Sequence, residues 1–116
     1  MTYNPFDIVT VPFPFTDRNH QQRRPAVVMS SRRLSAHARQ YVLAMVTSAR
    51  HERWPFDVTV TDGAAAGLRA PSGVRWKLFS LDASLVIRRI GSLGAKDRRL
   101  LRQRLADALL PAAEAS

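Results

Sequence analysis

Cysteine is absent from this 116-residue chain. That excludes a disulfide scaffold and any thiolate metal site, and it fits a reducing cytoplasm. Lysine is almost absent too: of 18 basic side chains only Lys77 and Lys96 are lysines, which leaves 16 arginines. Acids are scarce, 9 against those 18, for a formal charge of +9. No run approaches the roughly 20 apolar residues of a membrane-spanning helix, and Asp7 interrupts the only early apolar stretch, so neither a span nor a signal peptide is expected. There is no phosphate loop and no Gly-x-Ser-x-Gly elbow. His20, His37 and His51 are scattered through expected loops with no carboxylate at ligand spacing, so neither a zinc site nor a cofactor is expected. What is present is a globular composition, 46% hydrophobic and 23% charged, in one domain over residues 1–116. Guanidinium forks match phosphate geometry, so the arginine surplus points to a polyanionic partner. A biased genome would explain arginine over lysine; it would not explain the surplus over acids.

Residues 7–13 (DIVTVPF) alternate as a strand, and Pro12, which has no N–H to donate, sets that strand end at an edge or bulge. Residues 14–22 are polar and proline-broken, hence a loop. Residues 25–30 (PAVVMS) read as a strand buried on both faces, and 31–40 as a polar connection holding a helical turn capped by Ser31 or Ser35. Residues 41–47 (YVLAMVT) form the most apolar strand, 48–55 a charged loop, and 56–61 a strand with Val58 and Val60 inward. The glycine-rich stretch 62–73 reads as turns, not helix. Strands follow at 74–81 and 85–90. A 3.6-residue period then appears over 96–110, with Leu101, Leu105, Ala108 and Leu109 on one face and Arg99, Gln103, Arg104 and Asp107 away from it. Gly94 starts this helix and Pro111 stops it. Short consecutive strands before one terminal helix predict a mainly β chain (α+β), folded as an antiparallel, barrel-like sheet.

Several residues carry candidate chemistry. Pro25 biases Arg24 to extended geometry at a strand mouth, where a fixed guanidinium clamps phosphate; the plain alternative is that Arg23 and Arg24 are solvated loop charges. Thr47 and Ser48 bring hydroxyls to the exit of a buried strand, though such residues often end strands. Trp54, in a charged loop, is placed to stack on bases, while Phe56 and Phe79 are expected in the core. Arg75 and Lys77 flank Trp76 and share one strand face, either a basic nucleic-acid surface or an ordinary solvated one.

In order, these pieces resemble the MazF/PemK toxins of bacterial toxin–antitoxin pairs. The opening DIVTVPF with PFTD, the segment Arg24-Pro25-Ala26-Val27-Val28, and Ala44-Met45-Val46-Thr47-Ser48 carry the likeness. Gly67-Leu68, Pro71 to Arg75, Phe79 to Asp82 and Leu85 to Gly91 extend it over nearly the whole chain. The resemblance implies a small SH3-like barrel of the CcdB/PemK kind, a homodimer, and a cytoplasmic endoribonuclease that cuts single-stranded RNA without a metal. It implies Arg24 and Thr47 as the catalytic pair, with RNA and an acidic antitoxin as partners. Many relatives have an acid where this chain has Lys77, and some an arginine where it has Phe79. The proton acceptor would then be the substrate itself or another residue; in the loop before Arg24 the candidates are Asp17 and His20, of which His20 has the better unperturbed pKa. Arg23, Ser48, Trp54, Arg75 and Lys77 are the candidate RNA contacts. Barrels of this kind also include gyrase-binding toxins such as CcdB, and a non-catalytic RNA binder is a third class; the Arg24–Thr47 pair and the basic strand argue for the nuclease.

Overall fold

The alternating and apolar runs become a six-stranded antiparallel sheet, curled into a half-barrel, in the order β4-β5-β3-β2-β1-β6. The computed structural model describes residues 2–13 and 22–112. The strands are β1 (Asp7–Phe13), β2 (Gln22–Val28), β3 (Gln40–Ser48), β4 (Val58–Thr59), β5 (Ser72–Asp82) and β6 (Arg88–Ser92), with helices α1 (Arg32–Ala38), α2 (Gly63–Ala66) and α3 (Ala95–Leu109). Among the described residues no helix is long and apolar enough to cross a membrane.

Successive residues of a strand face opposite sides, and the three central strands bury both. Ile8, Val27, Ala44 and Val46 pack on one side with Leu101 of α3. Val9, Val11, Ala26, Val28 and Leu43 pack on the other with Leu81. This is why 25–28 reads as a continuous apolar run: Ala26, Val27 and Val28 are all fully buried. Pro12 lies opposite Arg23 of β2, while β6 pairs with β1 only as far as Thr10. The missing N–H of Pro12 therefore falls where β1 has become an edge, as expected.

Strands β4 and β6 do not pair with each other; helices bridge them. Asp97, in the first turn of α3 and 1% exposed, accepts hydrogen bonds from the Thr61 N–H (2.9 Å), the Thr61 hydroxyl (2.7 Å) and the Asp62 N–H (3.1 Å). Gly67 and Gly91 let α2 lie against β6: a Cβ on Gly91 would run into the Ala66 carbonyl, and one on Gly67 into Ile90.

Four expectations change. Residues 62–73 do hold a helical turn, α2, because Asp62 caps the Ala65 N–H and Gly67 closes it at φ 71. The strand placed at 56–61 shrinks to two residues, and Phe56, expected in the core, is 47% exposed. A 3-10 turn at Ala83–Leu85 moves the last strand to Arg88–Ser92. The buried face of α3 runs through Asp97 and Leu101 to a half-buried Arg104, while Leu109 is largely exposed, because the helix docks mainly by its N-terminal half. Ser31 caps α1 by accepting the Leu34 N–H at 3.1 Å; Ser35 instead hydrogen-bonds Ser30 through the two hydroxyls.

Candidate active site

Two irregularities meet beside Met45 and open the sheet. The β2–β3 ladder ends at Ala26 opposite Met45. Carried two residues further, that register would set Arg24 against Thr47, so the strands part where these two side chains stand. On the other side of β3, Ala44 faces Leu78 while Met45 faces Arg75, so Trp76 and Lys77 are extra residues of a bulge in β5. Bulges re-aim side chains. The result is a groove of about 290 Å³ lined by Phe13, Arg24, Met45, Thr47, Lys77 and Phe79 together with Val46, Arg75 and Leu78. It continues the sheet face on which Val11, Ala26 and Leu43 form core.

Arg24 is exposed, lies opposite Val11, and rests its guanidinium 4.5 Å from the centre of the Phe13 ring. Thr47 is half-buried opposite Gly73. Lys77 is exposed. Among the described residues neither side chain, Arg24 or Lys77, has a hydrogen bond or ion pair, and each cation lies over an aromatic ring at the groove. Ser48 lines an adjoining groove of about 220 Å³, which shares Thr47 and Arg75 with the first and adds His51, Arg53 and Asp57. Arg23 is exposed but lines neither groove, since it precedes Arg24 and falls on the opposite face of β2. His20, with the loop 14–21, lies outside the described residues.

Arg75, a candidate RNA contact, lines both grooves and is paired from within. It is 9% exposed, and its guanidinium donates to Asp57 at 2.8 and 3.3 Å and to the Glu52 carbonyl at 2.6 Å. Its charge is paired with Asp57, and its Nε and Nη2 hold the 52–57 segment in place. Trp54, 44% exposed, lies over this pair, with Arg75 4.3 Å and Lys77 5.6 Å from its ring centre. Burial pushes the Asp57 carboxyl up, but the Arg75 hydrogen bonds, the Trp54 N–H, and the charges of Arg75 and Arg53 outweigh it and hold it below its ordinary value.

Asp57 is thus a residue the pattern reading missed, along with Phe13 and Met45. One signal was available: Trp54-Pro55-Phe56-Asp57 has proline at the second position of a four-residue turn, which argues against running a strand through 56. Phe13 and Met45 carried no such mark, because apolar residues on alternating strands look alike whether they line a core or a groove. Among the described residues no group of three His, Asp or Glu side chains converges as metal ligands would.

Residues 4–109 match the family model described as the PemK-like, MazF-like toxin of type II toxin–antitoxin systems. No curated protein matches the sequence. Solved structures share the fold. The MazE–MazF complex (Form-II) from Deinococcus radiodurans superposes with a TM-score of 0.73 at 20% identity, over 97% of this chain and 99% of that one. The Mycobacterium tuberculosis toxin MazF-mt6 gives 0.70 at 20%, over 88% and 94%. An endoribonuclease in complex with its cognate antitoxin, from a mycobacterial species, gives 0.73 at 14%, over 96% and 99%. With the match to the family model running from before β1 to the end of α3, the chain belongs to the PemK-like, MazF-like toxins of type II toxin–antitoxin systems.

Proposed function

We propose that this toxin is an endoribonuclease that cuts single-stranded RNA without a metal. The observation that supports it is the groove in which an exposed guanidinium, Arg24, without an ion pair among the described residues, and a strand-exit hydroxyl, Thr47, stand together beside Lys77. The ribose 2′-oxygen attacks the adjacent phosphorus, the bond from phosphorus to the 5′-oxygen breaks, and a 2′,3′-cyclic phosphate and a 5′-hydroxyl result. Charge builds on the non-bridging oxygens as the phosphorane forms. Arg24 stabilises that charge, and the Thr47 hydroxyl donates a hydrogen bond to it. Arginine is a poor base because it stays protonated, so the 2′-proton goes to another group, for which His20 is the candidate. The departing 5′-oxygen takes a proton, for which Arg24 is the candidate donor.

Cleavage of a long single-stranded RNA with and without EDTA, followed by typing of the ends, tests this reading. Cutting is expected to survive EDTA and to leave 5′-hydroxyl ends. Activity that disappears with EDTA and returns with magnesium would sink it. Arg24→Ala should lower the rate by ~10²–10³, with unfolding unchanged, since an exposed strand-end arginine adds little packing.

An antitoxin with an acidic segment belongs to the same proposal, as does pairing of two copies of the chain. A +9 protein whose free cations flank one groove attracts a flexible anionic peptide. Peptide and RNA would compete for that groove, which inhibits the toxin without a separate regulatory site. Sedimentation of the full chain checks the dimer; a monomer at micromolar concentration would count against it.

A further inference from the structure

Beside the groove, next to its lining residues Arg75 and Lys77, a turn carries two large aromatic rings in the open, on a backbone strained at Phe56. Residues 54–57 form a β-turn closed by the Asp57 N–H on the Trp54 carbonyl at 3.1 Å. Pro55 takes its second position and Phe56 its third, at φ 67, a conformation that suits glycine and that a bulky side chain adopts reluctantly. Burial does not offset that cost, because Phe56 is 47% and Trp54 44% exposed. The turn is braced from beneath instead. Asp57 accepts the Trp54 N–H at 2.8 Å and pairs with the buried Arg75, and the Trp76 indole N–H donates to the Phe56 carbonyl at 2.8 Å. Strain held by a rigid support, with apolar rings left in solvent, marks a ligand-binding element more than a folding one.

The surroundings choose the ligand. Arg50, Arg53 and Lys77 are exposed on the neighbouring loop and bulge, and the turn adjoins the groove that holds Arg24 and Thr47. Flat rings set among exposed cations fit unpaired nucleobases on a phosphate chain: each base offers a π face, and each linkage a negative charge. We infer that Trp54 and Phe56 form a stacking platform for the unpaired bases that flank the phosphate in the groove. The inference rests on the ribonuclease reading and deepens it, by assigning to this turn the reading of bases that the groove's charges do not perform.

The test uses the full chain and two probes that 2′-oxygen chemistry cannot cut: a short 2′-deoxy oligonucleotide of mixed sequence, and an abasic chain of the same length and phosphate count. The parent should bind the base-bearing probe more tightly. Trp54→Ala combined with Phe56→Gly should lower that affinity by roughly tenfold to a hundredfold and leave the abasic affinity as in the parent. Phe56→Gly alone separates binding from folding: glycine suits φ 67, so the variant should melt no lower than the parent yet bind the base-bearing probe more weakly. Equal affinity of the parent for both probes, or proportional loss of both in the double variant, overturns the platform. A parent that prefers the base-bearing probe but leaves RNA intact overturns the nuclease reading and not the platform. A parent that cuts RNA while the double variant keeps its preference overturns the platform alone.

Discussion

Asp57 does with one carboxylate what neither pattern nor composition announced. It neutralises Arg75, caps the Trp54 N–H and ends the strand that alternation would have continued through residue 56. Its carboxyl lies below the ordinary value of 3.8 in the folded chain, with burial opposing and the Arg75 hydrogen bonds and charge prevailing. The sign of the pH dependence follows. A depressed carboxyl contributes stability that is complete above its unfolded value and is lost as pH falls through the folded one. Asp57→Asn should therefore cost ~1.5–3 kcal/mol at pH 7, and the gap to the parent in thermal unfolding should close progressively below about pH 4. A gap as wide at pH 3 as at pH 7 would show that the charge is not its source. Thr47→Ala, which removes a neutral donor, should slow cleavage less than Arg24→Ala does; single-turnover rates on one RNA compare them.

At the scale of elements, the half-barrel is closed by helices where strands do not meet. Strand β4 is only two residues long, and α3 is tied to the chain that follows it through the three hydrogen bonds of Asp97. Asp97→Ala should cost about 3 kcal/mol, because buried acceptor bonds from a carboxylate are lost together. Urea unfolding measures the loss, and amide exchange should show α3 opening before the central strands. The period of α3 and most of its docked face were legible in the sequence: Leu101 is buried, Leu105 and Ala108 are half-buried, and Arg99, Gln103 and Asp107 are exposed. Leu109 and Arg104 exchange roles because the helix touches the sheet mainly over its first turns, and the position of that contact depends on β4 and α2, not on α3 itself. The α2 turn was hidden for a similar reason. Its alanines and glycines suit close packing against β6, and only that packing distinguishes a helical turn from a loop.

For the whole molecule, the +9 charge sets long-range attraction, and the fold decides which cations are free to use it. Arg75 and Lys77 sit two residues apart, yet one is buried against Asp57 and the other is open. Reversing Arg75 would set two carboxylates together and collapse the 52–57 segment, so a loss of RNA binding there would report folding. Lys77→Glu is the clean probe. It should weaken single-stranded RNA and an acidic antitoxin peptide together, and flatten the slope of log affinity against log salt for RNA by at least ~0.7. A variant that loses RNA but keeps full affinity for the peptide would separate the two surfaces.

Most of the strands along the chain and the terminal helix with its Gly94 start could be read from the sequence, because alternation, apolar runs and helical periods are local and survive without tertiary contacts; Arg24 and Thr47 became catalytic candidates through the resemblance. Family membership could be read too, since short motifs in a given order need no coordinates. What only the tertiary structure decided is which charges are spent and where the sheet opens. The end of the β2–β3 ladder and the bulge at Trp76 and Lys77 create the groove beside Met45. The Asp57–Arg75 pair makes a candidate RNA contact a brace for the 52–57 segment as well, and the turn at residues 54–57 lifts Phe56 from an expected core into solvent. The groove and the pair depend on residues far apart in sequence meeting in the sheet, which no local pattern encodes; the turn carries a local mark in Pro55, but its bracing by Arg75 and Trp76 is tertiary.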